Sequence, residues 1–423
     1  MGWKVKLFAL SLLTGLLTGA AVSFYVLLTR GVSYLLYGGN PLQTIPLLPW
    51  WRVILITTLS IFAVNLIILF NEKAREYGVK EIARALEEDK LTFTLGDLVL
   101  KIVASALSIG SGFAVGNEGP SAAIGAMISY NLSRLLNLPR ELLRVAIGVG
   151  ASSGIAAVFV SPITGILFAV ESVAYTLVKD FVGFMIVGSF TAFIVALSFL
   201  NPIIFKYSIG KNLHPDYLYS ILLFVPVLLA GVYIYLTLRD RLLYYLSSIA
   251  SKKLTPFKRA VLVSAVGGVV VGFLLKVSPY AGFSGHEVVS ALINSNLHYP
   301  LSAIALLVLL RIFANTVSLY SNAVGGLFIT LMSIGALIGY GFGESLRLLE
   351  FAVEPFYFAA IGAAVFVGVV MRIPFTAVVL ALEITYDYNV VVPTGLIVAF
   401  VGFLASAAFG LRKMMLKRGR PSQ

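Results

Sequence analysis

The sequence predicts an all-α, polytopic membrane protein, and three observations carry that prediction. Of its 423 residues, 59% are hydrophobic and only 12% charged, with a mean hydropathy of +0.97, which is too apolar for a soluble globular domain. Uncharged runs cover residues 145–170, 181–205, 312–343 and 389–411, each long enough to cross the roughly 30 Å hydrocarbon core. Glycine and proline interrupt many of these runs, so short, tilted or broken helices are expected, with the freed backbone turned toward protein or a water-filled cavity.

In chain order, apolar segments fall at about 7–29, 53–70, 102–133, 145–170, 181–205, 217–238, 260–275, 301–310, 312–343 and 389–411. The first is longer than a signal h-region and lacks a small-residue cleavage site, so it is expected to be a membrane helix. The formal net charge is +12, but its placement argues against nucleic acid. Lys4 and Lys6 precede the first segment, and Arg412, Lys413, Lys417, Arg418 and Arg420 follow the last. By the positive-inside rule both ends are then cytoplasmic, with an even number of crossings of the cell membrane, and the charges act as topology anchors and contacts to anionic membrane lipids. Without cysteine there is no disulfide, thiol catalysis or thiolate metal site. No cofactor is implied, and no soluble domain is expected after the last helix.

Two halves of the chain resemble one another at an offset of a little over 200 residues. Pro162-Ile163-Thr164 leads to Ala169 and Glu171, and Pro374-Phe375-Thr376 leads to Ala381 and Glu383. The stretch from Gly116 to Pro120, followed by Ile124-Gly125-Ala126, is similar to Gly326 to Thr330 followed by Ile334-Gly335-Ala336. Glu81 with Ala85-Leu86 pairs with Glu287 and Ala291-Leu292, each after a glycine, Gly78 or Gly285. Such repeats build a midplane site from helix ends. The expected organisation is a first membrane repeat at 1–208, a second at 209–400, and 401–423 as the end of the last helix with a basic cytoplasmic tail. An odd number of crossings per half would invert the second.

Glu118 is the only charge in the 32 residues between Lys101 and Arg134. A lone carboxylate in such a run reads as functional. Gly116 and Gly119 leave the backbone bare, and Pro120 suits the first position of a helix. A helix N-terminus inside the membrane offers unpaired N–H groups and a positive dipole end, which together attract an anion. Glu118 is then a built-in anion competing for that site, and protonation would release it.

These residues resemble the CLC family of chloride channels and proton-coupled chloride antiporters, of the prokaryotic type without cytoplasmic CBS domains. Gly116-Asn117-Glu118-Gly119-Pro120 is similar to the family's G-[RK]-E-G-P motif, whose glutamate is the gate. Gly325-Gly326-Leu327-Phe328 is similar to the start of its G-G-x-F-x-P motif, whose N–H groups bind the central anion. Tyr77-Gly78-Val79-Lys80-Glu81 falls where the family carries G-S-G-I-P-E. The resemblance implies about eighteen membrane helices in two inverted repeats, a homodimer, and one anion pathway per subunit. It places Glu118 at the gate and in proton transfer, with Tyr77, Gly78, Val79, Gly116, Asn117, Gly119, Gly326, Leu327 and Phe328 around the anion. The partners implied are chloride or another small anion, and protons.

The departures bear on mechanism. Tyr77 replaces the serine of the first motif, and its phenol could line the pore or pack toward an interface. Asn117 replaces the basic residue before the gate, and Thr330 the proline of the G-G-x-F-x-P motif. No tyrosine follows Tyr388, so the antiporters' central tyrosine is missing. Their internal proton position falls at Ser172, next to Glu171. Glu171 and Glu383 otherwise read as structural, with Arg372 a candidate partner for one of them.

Other classes predict different features. Gly282-Phe283-Ser284-Gly285 matches the G-x-S-G of rhomboid-type proteases, with His286 and His298 as available bases. His214, His286 and His298 form no H-E-x-x-H, so zinc proteolysis and a metal site are not expected. A cation-coupled solute transporter would carry more midmembrane carboxylates. Within the resemblance, the function is glutamate-gated chloride transport coupled to protons. A passive chloride channel and the family's fluoride/proton antiporters are the alternatives.

Overall fold

The computed structural model describes residues 2–75, 94–172, 178–207, 215–249, 254–294 and 300–418. The described helices, in order, are α1 (Trp3–Tyr37), α2 (Pro41–Thr44), α3 (Trp50–Phe70), α4 (Leu95–Gly110), α5 (Glu118–Leu135), α6 (Leu143–Phe159), α7 (Pro162–Ser172) and α8 (Val178–Leu197). They continue with α9 (Pro215–Ile249), α10 (Pro256–Val277), α11 (His286–Asn294), α12 (Leu301–Tyr320), α13 (Phe328–Leu348), α14 (Pro355–Met371), α15 (Pro374–Glu383) and α16 (Val391–Arg418). No strand occurs among the described residues; one isolated bridge joins Gly116 and Gly326. The all-α reading stands, and eight of the described helices are long and apolar enough to cross a membrane.

The apolar runs break where the sequence places its punctuation. The run 145–170 is two helices, because Pro162 cannot donate the N–H that a continuous helix needs. Val160 closes α6 in the left-handed conformation, and the Ser161 N–H reaches back to the Ala156 carbonyl at 3.1 Å. Arg372 closes α14 the same way before Pro374, with the Ile373 N–H on the Gly368 carbonyl at 2.9 Å. The runs 102–133 and 312–343 break ahead of Glu118 and Phe328, so α5 and α13 each begin inside an apolar stretch. α5 starts at Glu118 rather than at Pro120; the proline sits at the third helical position, where its missing N–H would have had no intrahelical acceptor.

The backbone divides into two compact units, one comprising residues 1–203, 240–295 and 309–330, the other 204–239, 296–308 and 331–423. In the first, α5 packs along α6, α3 along α10 and α1 along α8. Small residues four apart permit these approaches: Gly15 and Gly19 of α1 lie against Gly188, Thr191 and Ala192, while Gly268 and Gly272 of α10 lie against Thr57 and Thr58. Gly125 of α5 meets the Gly150 backbone of α6 so closely that a Cβ on either would strike the other's carbonyl oxygen.

In the second unit, Gly335 of α13 and Gly362 of α14 make the same kind of contact. An aromatic cluster fills the space beside them, with Phe224 stacked on Phe342 at 4.7 Å and edge-on to Phe358 at 5.4 Å. The Tyr217 hydroxyl accepts the Glu354 N–H at 2.9 Å, satisfying a donor ahead of α14.

These glycine contacts generate a stability prediction. Gly150→Val should destabilise the protein by about 1–3 kcal/mol through overpacking. Gly183→Ala, where an added Cβ meets nothing within 4 Å, should be neutral or stabilise by up to about 1 kcal/mol. Thermal unfolding in detergent of the two variants beside the unaltered chain checks both.

Candidate functional site

The site is built where two chain breaks meet. After α4 the chain runs through Gly116 into α5, and after α12 it runs through Gly326 into α13. The Gly116 N–H donates to the Gly326 carbonyl at 2.7 Å and the Gly326 N–H returns to the Gly116 carbonyl at 2.6 Å. This reciprocal pair sets two helix N-termini side by side. Matching serines secure the flanks: Ser108 Oγ accepts the Val324 N–H at 3.0 Å, and Ser318 Oγ accepts the Ala114 N–H at 2.8 Å. Asn315 Nδ2 donates to the Ala114 carbonyl at 2.8 Å. Buried backbone groups in a broken membrane helix need such partners, and here each break supplies them to the other.

Glu118 opens α5 and is only 2% exposed. Its Oε1 accepts the Ile329 N–H at 2.9 Å, and the N–H groups of Glu118 itself and of Phe328 also act on the carboxylate. The carboxylate therefore occupies the anion seat at the N-terminus of α13, across the bridge from its own helix. Its Oε2 has no hydrogen-bond partner among the described residues. Bare backbone leaves room for the seated carboxylate at two positions: a Cβ on Gly116 would meet both carboxylate oxygens, and one on Gly326 would meet Oε2. Gly119 is less constrained, since its added Cβ would meet Gly326 at an ordinary 3.6 Å.

Glu118 also lines a cavity of about 60 Å³, room for a few waters or a partly hydrated small ion. Its walls include Ser33, Asn117, Phe159, Phe283 and Ile329. Asn117 precedes the helix without capping it, and its Oδ1 is buried with no partner among the described residues. The Phe328 ring is 1% exposed and packs on Phe159 at 4.3 Å and edge-on to Phe168 at 5.5 Å, so its side chain is a wall and only its backbone faces the seat.

Of the residues singled out from sequence, Gly116, Asn117, Glu118, Gly119, Gly326, Leu327 and Phe328 lie together around the bridge. Tyr77, Gly78 and Val79, with Glu81, lie outside the described residues. Glu171 and Ser172 end α7, half-buried, and do not line the cavity. Glu383 ends α15, while Arg372 caps α14 through its backbone.

The protease alternative, which the sequence disfavours because both histidines lie close to the serine, finds no support in the geometry of Ser284 and His286, and His298 lies outside the described residues. Ser284 Oγ donates to Glu287 Oε2 at 3.1 Å and accepts the His286 backbone N–H at 3.2 Å, while the His286 ring meets Ser290 Oγ at 3.3 Å. Ser284 and the His286 imidazole thus form no nucleophile–base pair.

Two residues that the sequence reading missed shape the site. Ile329 supplies the N–H that holds Glu118, and no side-chain pattern marks a residue that acts through its backbone. Arg311 is fully buried, and its Nη1 donates to the Tyr280 carbonyl at 2.8 Å and the Gly282 carbonyl at 2.9 Å, fixing the turn that carries Phe283 and Ser284 into the cavity wall. It is the only Lys, Arg, Asp or Glu between Glu287 and Glu344, so the reasoning that singles out Glu118 applies to it equally.

The glycine geometry predicts an ordering. Gly116→Ala and Gly326→Ala should displace the Glu118 carboxylate at little cost in stability, within about 1 kcal/mol, because the flexible end of that side chain can move aside, whereas Gly119→Ala should leave the carboxylate in place and stay within about 0.5 kcal/mol of the unaltered chain. Thermal unfolding with a structure of the Gly116→Ala variant checks the ordering and the displacement.

Residues 59–407 match the voltage-gated chloride channel family. The chain is 27% identical over 406 residues to the H(+)/Cl(-) exchange transporter ClcA of Vibrio cholerae serotype O1 (strain M66-2), covering 91% of this chain and 83% of that protein. It is 25% identical over 422 residues to ClcA of Vibrio vulnificus (strain YJ016), covering 95% and 86%. Among solved structures, a slow cyanobacterial Cl-/H+ antiporter superposes with a TM-score of 0.83 at 22% identity, covering 98% of this chain and 99% of that one. A CLC-type fluoride/proton antiporter superposes with a TM-score of 0.73 at 19% identity, covering 94% of each. With broken membrane helices whose N-termini converge on one buried carboxylate, and a family match over most of its length, the chain belongs to the voltage-gated chloride channel family.

Proposed function

We propose that this protein is a proton-coupled chloride antiporter of the cell membrane, with Glu118 as both gate and proton carrier. One observation carries the reading: the Glu118 carboxylate occupies an N–H seat suited to an anion, with its second oxygen unpartnered beside a cavity. Ionised, Glu118 fills the seat. Protonated, it loses the charge that N–H groups and the helix dipole attract, and a chloride ion takes its place. Exchange of a carboxylate for an anion at one seat ties proton movement to anion movement. The seat uses several partial charges rather than one full cation, which lets the anion leave again. The relatives named H(+)/Cl(-) exchange transporters support the choice of antiport.

In this reading Gly116, Asn117, Gly119, Gly326, Leu327 and Phe328 present backbone to the anion, and Ile329 joins them. Tyr77, Gly78 and Val79 join them as anion-binding residues, and Glu171 with Ser172 serves as the internal proton position. The chain works as two repeats, 1–208 and 209–400, followed by 401–423. The breaks support this: α5 and α13 start 210 residues apart, and α7 and α15 start 212 apart. Both termini face the cytoplasm, anionic lipids meet the basic ends, and the working unit is a homodimer with one pathway per subunit.

Proteoliposomes test the reading. A chloride gradient should drive proton movement with the unaltered protein, and Glu118→Gln should abolish that movement while chloride still passes. Large chloride flux with no coupled protons in the unaltered protein would instead identify a passive channel. Because protonation frees the seat, chloride flux should rise as pH falls, and the Glu118→Gln variant, fixed in the neutral form, should show a flat profile. Chloride and bromide should compete for the same pathway; flux carried by fluoride alone would move the assignment to the fluoride/proton antiporters.

A further inference from the structure

The cavity in front of Glu118 carries a second set of charges that the gate does not use. Among the residues lining it, the charged or titratable ones are Arg30 of α1, Glu118 of α5, and His286 and Glu287 of α11. Both carboxylates are held through one oxygen. Glu118 turns to the Ile329 N–H, and Glu287 Oε2 accepts the Ser284 hydroxyl at 3.1 Å and the Gly285 N–H at 3.2 Å, closing the start of its own helix. Arg30 is exposed and makes no hydrogen bond or ion pair with any described residue, although two carboxylates line the same cavity. His286 lies close enough to Arg30 for the two to act on each other electrostatically, and its Nδ1 faces Ser290 Oγ at 3.3 Å.

A guanidinium with two carboxylates beside the same cavity would ordinarily pair with one of them. Here each carboxylate is held through one oxygen by a backbone N–H and neither pairs with Arg30, so the counter-ion of Arg30 comes from solution. Its exposure marks the open side of the cavity, and an exposed cation attracts through water, weakly enough to release what it gathers. A protonated imidazole beside it adds to the same field, and a shared anion offsets the repulsion between the two.

We infer that Arg30 and His286 form an anion-capture site at the mouth of this cavity, which loads a small halide in front of Glu118 and strengthens when His286 is protonated. This inference rests on the transport reading above and deepens it. An unpaired cation at the mouth of a cleft raises the local concentration of anions there, an effect that salt screens.

Chloride flux in proteoliposomes provides the test. At an ionic strength of about 10 mM, Arg30→Gln should raise the half-saturating chloride concentration about three- to tenfold, and Arg30→Lys should keep most of the effect. The difference should vanish as an impermeant salt is raised toward about 1 M, where screening acts within about 3 Å. His286→Gln should match the unaltered protein at pH 8 and need two to three times more chloride only well below pH 6.5, because burial and the Arg30 charge beside it both hold the imidazole below its ordinary range. The unaltered protein provides a check free of folding effects: its own half-saturation should worsen with added impermeant salt. Salt-independent half-saturation there, or an unchanged value in Arg30→Gln at low ionic strength, overturns this inference alone. Unaltered protein that moves no halide overturns the transport reading and this inference with it.

Discussion

The reciprocal hydrogen bonds between Gly116 and Gly326 are the constraint on which the rest of the site depends. Away from water, a broken helix leaves backbone donors that must be satisfied within the protein. Setting two breaks against each other solves that for the linking segments, with Ser108, Ser318 and Asn315 completing the pairing. It also leaves the first N–H groups of α13 free and pointed at one place. An ionisable side chain is the simplest occupant of such a place, and Glu118 is positioned by the same bridge to fill it.

The packing follows from that requirement. Short helices that end inside a membrane cannot rely on length to hold them, so close backbone contacts take over. Gly125 against Gly150 and Gly335 against Gly362 are such contacts, each with no room for a Cβ. The helix ends are fixed equally firmly. Val160 and Arg372 adopt left-handed conformations that cost energy in non-glycine residues, and both stand two residues before a proline that must start the next helix. Arg311 shows the same economy on the cavity wall, since one buried guanidinium satisfies two carbonyls of a turn that no helix covers.

Much of this was legible in the sequence. Apolar runs, proline positions and the solitary charge at Glu118 gave the all-α class, the breaks and the residue at the centre. The start of α5 was misplaced by two positions because proline is permitted anywhere in the first turn, where its N–H has no partner to lose. Backbone roles were harder to read. Ile329 and the Gly116–Gly326 bridge act through N–H and C=O groups that every residue possesses, so only the three-dimensional meeting of two segments some 210 residues apart reveals them. Arg311 was legible in principle, as the lone charge in its own apolar stretch, and its task of holding a turn became apparent only with the carbonyls around it.

The central claim is that Glu118 and a transported anion compete for one seat at the start of α13. A structure of the Glu118→Gln variant soaked in bromide, with anomalous scattering to locate the ion, addresses it most directly. A bromide is expected at hydrogen-bond distance from the Ile329 N–H, with the substituted side chain turned out of the seat. A substituted side chain still seated on that N–H, with bromide elsewhere or absent, would contradict it.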